Sequence, residues 1–344
     1  MGKKLFSILK YLFFLGGGLA LVWWQLKGMK PEEKEEFYLA LSNAEYWVAI
    51  PVVIMSLLSH LSRSLRWKIL LEPLGYYPKL KNVFAVTMIG YLANSAVPRL
   101  GEVLKCTFLA RYENLKVDKL VGTIILERIF DLICFVIFIG ITILIQIELV
   151  GGFFEKQLDS FEKKSGQEIW LKLTFIIFFG ILILYFLKYL FKKHPNKKIV
   201  RKIKGFVSGL IQGFSSIMKL RRRKEFIVHT VFIWAMYLLQ IYIGFSAMSS
   251  TSNLGLGAAF SVLTLATVAM IVTPGGIGSF PIFVMQTLVI YNISEPYGKA
   301  FGWLLWGANT LIYIIFGLAS LLLLPYINRN NNENITVIPE SENF

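Results

Sequence analysis

The segment NSAVPRLGEVLK, residues 94–105, places charged and helix-breaking residues directly beside apolar sequence. The guanidinium of Arg99 carries five N–H donors in a fixed planar fork, which matches the oxygens of a phosphate group. The carboxylate of Glu102 can hold that guanidinium when no ligand is bound. Pro98 ends the preceding helix because it lacks a backbone N–H, and Gly101 lets the backbone turn or approach another segment closely. A surface loop with a weak exposed ion pair is the alternative, but the preceding apolar half-span favours anion binding.

A second set of charged residues lies in LERIFDLICF, residues 126–135. Glu127 and Asp131 are four residues apart and share one helix face, whereas Arg128 is rotated from Glu127 by about 100°. Charged residues within an apolar helix are costly, usually face the interior of a bundle and mark transport pathways. Arg128 could instead extend to the membrane–water interface, but the short side chain of Asp131 could not easily do so. We therefore favour a functional role for this set.

Two arginines, Arg63 and Arg66, lie three residues apart on one helix face in the sequence RSLRW. A phosphate contact and an ordinary positive-inside signal explain this pair equally well, so both interpretations stay open. The three histidines, His60, His194 and His229, are scattered along the chain. We assign none of them a catalytic role.

The segment TPGGIGSFP, residues 273–281, contains two prolines and three glycines between apolar runs. It requires irregular backbone at membrane depth, which is tolerated only where protein or a water-filled cavity surrounds it. The helix after this segment could present N–H groups and the positive end of its dipole to an anion. A simple hairpin turn is the alternative. We expect the two turns or gates to be shaped by Pro98, Gly101, Pro274, Gly275, Gly276 and Gly278.

The elements that must position these residues are membrane helices. Hydrophobic residues make up 56% of the 344 residues, above the roughly 45–50% of soluble domains, and the mean hydropathy is +0.61. Apolar stretches of roughly 20 residues recur, which predicts an all-α polytopic membrane protein. The net charge of +15 is concentrated in particular loops, so we attribute it to orientation and to anionic lipid headgroups, not to nucleic acid.

The apolar pattern predicts full helices at Leu5–Leu26, from Trp47 into SRSLRWKILLEP, and at Val121–Ile147, Ile169–Leu187, Phe226–Met248 and Ala300–Leu324. Two further segments, about residues 83–110 and 255–292, are interrupted by Pro and Gly and suit broken or re-entrant hairpins. We expect a single membrane domain over residues 1–324 and a polar, disordered tail over residues 325–344.

Clusters of Lys and Arg place the N-terminus and the loops at residues 63–81, 99–119 and 188–224 on the cytoplasmic side, and the C-terminus follows. The Pro98 break then enters from inside and the Pro274 break from outside. Hairpins of opposite direction are typical of an inverted-topology repeat with a site near the midplane. An amphipathic helix over about residues 199–219 is expected to lie on the cytoplasmic interface and to contact anionic lipids.

The motifs NSAVPRLGE, LERIFD and TPGGIG, in this order and spacing, together resemble the lysylphosphatidylglycerol synthase transmembrane region family. That family includes the flippase half of the bacterial multiple peptide resistance factor and many stand-alone membrane proteins. The resemblance extends from the first helix to Leu324 and implies a lipid-translocating domain with re-entrant helices from both faces. The family's recurrent positions correspond here to Asn94, Pro98, Arg99, Gly101, Glu102, Glu127, Arg128, Asp131, Pro274, Gly275, Gly276 and Gly278.

The chain departs from the family pattern in two respects. Many members carry an acidic residue shortly after the Pro-Gly-Gly motif, where this chain has Ser279, Phe280 and Pro281. Bifunctional members also carry a soluble aminoacyltransferase domain, and no soluble stretch of this sequence is long enough for one. Synthase activity is therefore not expected.

Taken together, the motifs and the resemblance predict a flippase for a polar phospho- or aminoacyl-lipid headgroup in the bacterial cytoplasmic membrane. We expect a membrane phospholipid as its substrate and neither enzymatic activity, a cofactor nor a metal, while a homo-oligomer stays open. An ion- or solute-coupled transporter, a lipid-modifying enzyme and a scaffold that delivers lipid or polymer to an envelope assembly are the alternatives. The expected headgroup-binding residues are Arg99, Glu102, Glu127, Arg128, Asp131, Asn94, Arg63 and Arg66.

Overall fold

The computed structural model describes residue 16 and residues 20–25, 27–146 and 213–329. Regular structure in these residues is entirely helical, which confirms the all-α class. The described helices of eight or more residues are α1 (Pro31–Ser42), α2 (Ala49–Leu71), α3 (Leu80–Ala96), α4 (Leu100–Glu113), α5 (Val117–Ile145), α6 (Arg223–Gly244), α7 (Leu256–Val272), α8 (Ser279–Ile290) and α9 (Glu295–Ile327). Single 3₁₀ turns lie at Tyr46–Val48, Glu72–Leu74, Phe245–Ala247 and Pro274–Gly276.

Several predicted elements fall mainly outside the described residues. They are the first helix, the helix at Ile169–Leu187, the amphipathic helix at residues 199–219 and the tail. The last helix is longer than expected, since α9 starts at Glu295 and not at Ala300. The reason is that Ser294 takes the N-cap position and Pro296 fits the first helical turn, where no backbone donor is needed.

Four described helical segments are long and apolar enough to cross a membrane. They are Tyr46–Leu74, Val117–Ile145, Arg223–Ala247 and Glu295–Ile327. In the first of them Ile50, Ile54 and Leu58 are exposed, whereas His60 and Arg66 are buried. Exposed apolar residues at four-residue spacing and a buried polar face are what a helix surrounded by lipid requires. The protein is therefore a multi-pass membrane protein.

The chain divides into two compact units. Residues 1–125 and 220–344 form unit 1, and residues 126–219 form unit 2. Unit 1 holds both interrupted segments, which are the helix pairs α3–α4 and α7–α8. In unit 2 the rings of Phe130 and Phe214 stack with their centroids 6.4 Å apart, and Gly213 packs against the side chain of Ile129.

Helix α3 packs along the C-terminal half of α9. At one end Asn82 and Asn328 donate amide hydrogen bonds to each other, both at 2.9 Å. Further along, Gly317 is so close to α3 that an added Cβ would lie 2.6 Å from Cβ of Leu92 and 3.1 Å from the carbonyl oxygen of Met88. The two helices are therefore antiparallel, and α3 begins beside the C-terminal end of α9, where Asn328 lies.

Helix α8 packs along the N-terminal half of the same helix. A Cβ added at Gly302 would lie 2.8 Å from Cα of Pro281, and one added at Gly298 would lie 3.2 Å from Cα of Met285. Helix α8 is therefore also antiparallel to α9. The two helix pairs thus reach the middle of α9 from its opposite ends.

A matched pair of glycines on α9 tests this packing. Gly302→Ala is expected to lower the melting temperature of the purified protein in detergent by several degrees, because overpacking costs about 1–3 kcal/mol. Gly307→Ala is the control, since an added Cβ there meets nothing within 4 Å. Gly307→Ala should be neutral or slightly stabilising, because alanine favours helix over glycine. Equal melting temperatures for the two variants would contradict the contact between α8 and α9.

Candidate functional site

The turn between α3 and α4 carries Arg99. Val97 is extended, with φ −134° and ψ 118°, as is usual for a residue that precedes proline. Arg99 has φ 66° and ψ 0°, a left-handed conformation that residues other than glycine seldom adopt. It occupies the N-cap position of α4 and is exposed. Backbone strain of this kind clusters at functional sites, so Arg99 is a candidate on structural grounds as well.

Asn94, in the last turn of α3, makes two hydrogen bonds to the first turn of α4. Its Oδ1 accepts a hydrogen bond from the backbone N–H of Gly101 at 2.8 Å, a first-turn donor that has no acceptor within its own helix. Its Nδ2 donates to Oε1 of Glu102 at 3.3 Å. Within the described residues Glu102 makes no ion pair with Arg99, contrary to our expectation. The reason is that Glu102 faces α3, whereas Arg99 precedes the helix and projects outward.

Gly101 is required where α3 and α4 touch backbone to backbone. A Cβ added there would overlap the carbonyl oxygen of Gly90 and would lie 2.6 Å from Cγ of Asn94. The close approach expected of Gly101 is therefore present, and Gly90 is its opposite residue.

The turn between α7 and α8 depends on its three glycines. Gly275, Gly276 and Gly278 have φ of 57°, 71° and 74°, values that side chains with a Cβ seldom tolerate. The hydroxyl oxygens of Thr273 and Ser279 lie 2.6 Å apart, and the Ser279 hydroxyl donates to the carbonyl oxygen of Ala269 at 2.9 Å. Ser279 lies close to the position at which we expected many family members to have an acidic residue. In this chain its hydroxyl makes hydrogen bonds within the hairpin.

The tips of the two hairpins meet. A Cβ added at Gly275 would lie 3.0 Å from both Cα and the carbonyl oxygen of Ser95, the residue after Asn94. The indole Nε1 of Trp306, near the middle of α9, donates to the carbonyl oxygen of Gly275 at 2.8 Å. The structure thus brings the first and last motifs together. Their entry into the membrane from opposite faces stays a prediction.

Arg63 and Arg66 are buried, with 6% and 0% of their surface exposed. Nη2 of Arg63 donates to the Tyr237 hydroxyl at 3.2 Å, and Nη1 of Arg66 donates to Oγ1 of Thr230 at 3.2 Å. A positive-inside signal needs only a location in the loops or at the interface. The burial of this pair is therefore more than a positive-inside signal requires, and a phosphate contact by the two arginines stays a prediction.

Glu127, Arg128 and Asp131 belong to unit 2. Glu127 is fully buried, Asp131 is half-buried and Arg128 is exposed. The carboxylates thus lie toward the packed side of α5 and the arginine lies away from it, as the helical spacing predicted. A role for these three residues beside the hairpin tips stays a prediction.

Sequence reasoning missed the surroundings of His60. This residue is 1% exposed, and its ring centroid lies 4.4 Å from that of Tyr91 and 5.7 Å from that of Tyr313. The two tyrosine rings stack on each other at 5.1 Å. A signal was present in the sequence, because Ser56, His60 and Arg63 recur at three- and four-residue spacing and so form a polar stripe on an apolar helix.

Lys105 was also missed. It is 5% exposed, and its Nζ lies 4.0 Å from the centroid of the Trp67 ring, a cation–π contact. Nε1 of Trp67 donates to Oγ1 of Thr123 at 2.9 Å. Among the described residues of unit 1, three cationic side chains, those of Arg63, Arg66 and Lys105, are therefore at least nine-tenths buried. In the described parts of the chain no three His, Cys, Asp or Glu residues are grouped as a metal ion would require.

Comparison with known proteins identifies the family. The family described as Lysylphosphatidylglycerol synthase TM region matches residues 7–317. The chain belongs to this family. Among curated relatives, the UPF0104 membrane protein MJ1595 of Methanocaldococcus jannaschii is 24% identical over 279 residues, which cover 75% of this chain and 79% of the relative. No solved structure matches the chain.

Membership in the lysylphosphatidylglycerol synthase TM region family confirms the resemblance drawn from the three motifs. All three lie within the matched residues 7–317. The family match and the four long apolar helices agree on a multi-pass membrane protein. The hairpins of unit 1 show how a member of this family folds its first and last motifs onto one helix, α9.

Proposed function

We propose that this protein is a lipid flippase and that the polar headgroup of a phospholipid crosses the membrane beside the meeting point of the two hairpin tips. The contact between Ser95 and Gly275 carries this proposal, because it joins two interrupted segments that start from opposite ends of α9. Such segments place irregular backbone and polar side chains at membrane depth, where only a protein-lined passage tolerates them.

The charge of unit 1 supports an anionic headgroup. Moving a charged or polar group through hydrocarbon is costly unless it is paired or hydrogen-bonded. Arg99 lies exposed at the tip of the first hairpin, and Arg63 and Arg66 are buried on α2. A guanidinium binds phosphate oxygens in bidentate geometry. The shared chemical feature of the substrate is therefore a phosphate group, as in phosphatidylglycerol and in aminoacyl lipids derived from it.

The charged loops support a location and an orientation. We propose that the protein lies in the bacterial cytoplasmic membrane with both termini in the cytoplasm, because Lys and Arg are concentrated in the loops on that side. The basic loop at residues 188–224 would then face the anionic lipids of the inner leaflet. Protease accessibility of terminal tags in sealed inside-out vesicles tests this orientation.

Reconstitution tests the function. The purified protein is placed in phosphatidylcholine vesicles with a trace of nitrobenzoxadiazole-labelled phosphatidylglycerol (NBD-phosphatidylglycerol), and external dithionite bleaches the probe that reaches the outer leaflet. We expect nearly all of the probe to be bleached, whereas vesicles with heat-denatured protein should keep the inner-leaflet probe. Bleaching equal to that control would overturn the proposal. Ion flux without headgroup transfer would indicate a solute transporter, and new lipid species in mass spectra would indicate an enzyme.

A further inference from the structure

An open cleft lies among α2, α6 and α9, three helices of unit 1 that belong to the long apolar segments of the chain. It contains about 390 Å³ of empty space, part of which is open to the outside. Binding pockets for small ligands commonly hold about 300–1,000 Å³. Each wall contributes apolar residues, such as Val52 of α2, Gly244 of α6 and Leu305 of α9. Among the described residues that line the cleft, Glu45 is the only charged one.

One end of the cleft is polar. Glu45 and Tyr46 line it there, and the neighbouring Trp47 donates from its indole Nε1 to Oε2 of Glu45 at 3.0 Å. The backbone N–H of Glu45 donates to the carbonyl oxygen of Ala247 at 2.8 Å, which joins the walls formed by α2 and α6. Tyr46 and Trp47 are exposed, and such aromatic residues are enriched where the headgroups of a membrane lie. This end therefore lies at headgroup level, and the apolar remainder extends into the hydrocarbon region.

The length of the cleft matches one leaflet. Its lining residues on α9 run from Phe301 to Ala308, which corresponds to about 10 Å along the helix axis at about 1.5 Å per residue. Half of the hydrocarbon core of a bilayer is about 15 Å thick. The cleft can therefore take the part of one acyl chain nearest to its headgroup, without reaching the midplane.

The cleft opens onto the surface of the membrane helices. Ala49 lines it and is itself exposed, and Ile50 and Ile54 are exposed beside it on α2. Water is a poor occupant, because apolar cavities stay dry. An unfilled cleft would deprive its lining atoms of dispersion contacts. The acyl chains of the surrounding lipid are the apolar groups available at this surface, and a chain that enters from the bilayer stays in apolar surroundings.

We infer that this cleft binds one acyl chain of a membrane phospholipid, whose headgroup lies beside Tyr46 and Trp47. The bound chain packs against Leu305 of α9, directly before Trp306, whose indole donates to Gly275 of the second hairpin tip. The lipid thus supports the part of α9 that positions this tip. The inference goes beyond the proposed function and does not depend on it, because the cleft can hold a chain whether or not a headgroup is moved.

Photochemical labelling in a bilayer tests the inference. The purified protein is placed in phosphatidylcholine vesicles that contain a trace of phosphatidylcholine with a diazirine in one acyl chain. After illumination, mass spectrometry of peptides locates the lipid adducts. We expect adducts on Val52 and Leu305, which are 4% and 5% exposed and line the cleft, as well as on the exposed Ile54. Val86 and Leu109, which are fully buried outside the cleft, should not react.

The matched variants fill the cleft from two walls. Ala49→Phe and Ala308→Phe should lower the adducts on Val52 and Leu305 at least about tenfold relative to those on exposed residues of α2, because an acyl chain cannot share close-packed space with the added ring. Ile50→Phe is the control. Ile50 is exposed on α2 and does not line the cleft, so this variant should keep the adducts of the wild type.

The outcomes separate this inference from the flippase. Wild-type adducts confined to exposed residues would overturn the acyl-chain site and show that the cleft is closed or filled by another part of the protein. Unchanged adducts on Val52 and Leu305 in both filling variants would also overturn it. Should neither variant yield monodisperse protein, the contrast between these two residues and Val86 in the wild type decides. Loss of headgroup transfer in the dithionite assay would overturn the flippase alone.

Discussion

Replacing Arg99 with alanine is expected to lower the rate of NBD-phosphatidylglycerol transfer by at least about tenfold without loss of folded protein. A hydrogen bond to a charged group contributes about 1.5–3 kcal/mol, and each 1.4 kcal/mol corresponds to a factor of about ten. The Arg99 side chain is exposed and is not paired with Glu102 in the described residues. Removal of this side chain should therefore weaken headgroup binding more than it lowers the stability of the fold. Arg99→Lys should recover only part of the rate, because lysine keeps the charge but lacks the planar fork.

Arg111→Ala is the matched control for Arg99. Arg111 is exposed on the same helix, α4, in its last turn, and it belongs to neither hairpin tip. Its replacement should leave the transfer rate unchanged. Equal rates for the wild type, Arg99→Ala and Arg111→Ala would show that Arg99 does not bind the headgroup. Glu127→Gln is expected to abolish transfer, and it tests the carboxylates of unit 2 in the same assay.

Replacing Gly101 with alanine is expected to have the largest effect on folding. The added Cβ would overlap the carbonyl oxygen of Gly90 and press on the Asn94 side chain. Because Gly90 and Asn94 both belong to α3, α3 and α4 would have to separate and the hydrogen bond from Gly101 N–H to Asn94 would be lost. Overpacking costs about 1–3 kcal/mol, and the lost hydrogen bond, which is partly buried, adds about 1 kcal/mol.

The measurement is the yield of monodisperse protein and its melting temperature in detergent. Gly122→Ala is the neutral control, because an added Cβ there meets nothing within 4 Å. Gly90→Ala should lie between the two, since its nearest contact, at 3.2 Å, asks only for a small shift. If Gly101→Ala melts together with Gly122→Ala, the backbone contact between α3 and α4 is not present in the protein.

The sequence by itself determined the class, the family and most of the helices of this protein. Apolar stretches identify α2, α5, α6 and α9 because a membrane helix must cover its backbone with about 20 apolar residues. Pro98 and the glycines at residues 275–278 mark the two turns, since Pro lacks a backbone donor and Gly adopts positive φ. These signals are local, so no knowledge of packing is needed to read them.

Only the tertiary structure decided which polar residues lie together. It paired Glu102 with Asn94 and left Arg99 outside, because the left-handed N-cap turns Arg99 away from the helix. It buried Arg63 and placed His60 against two tyrosines from distant helices. Such contacts depend on how closely the helices approach one another at Gly302, Gly317 and Gly101. The distance between two packed helices is set by side chains that are far apart in the sequence. The spacing of residues along one helix therefore cannot reveal it.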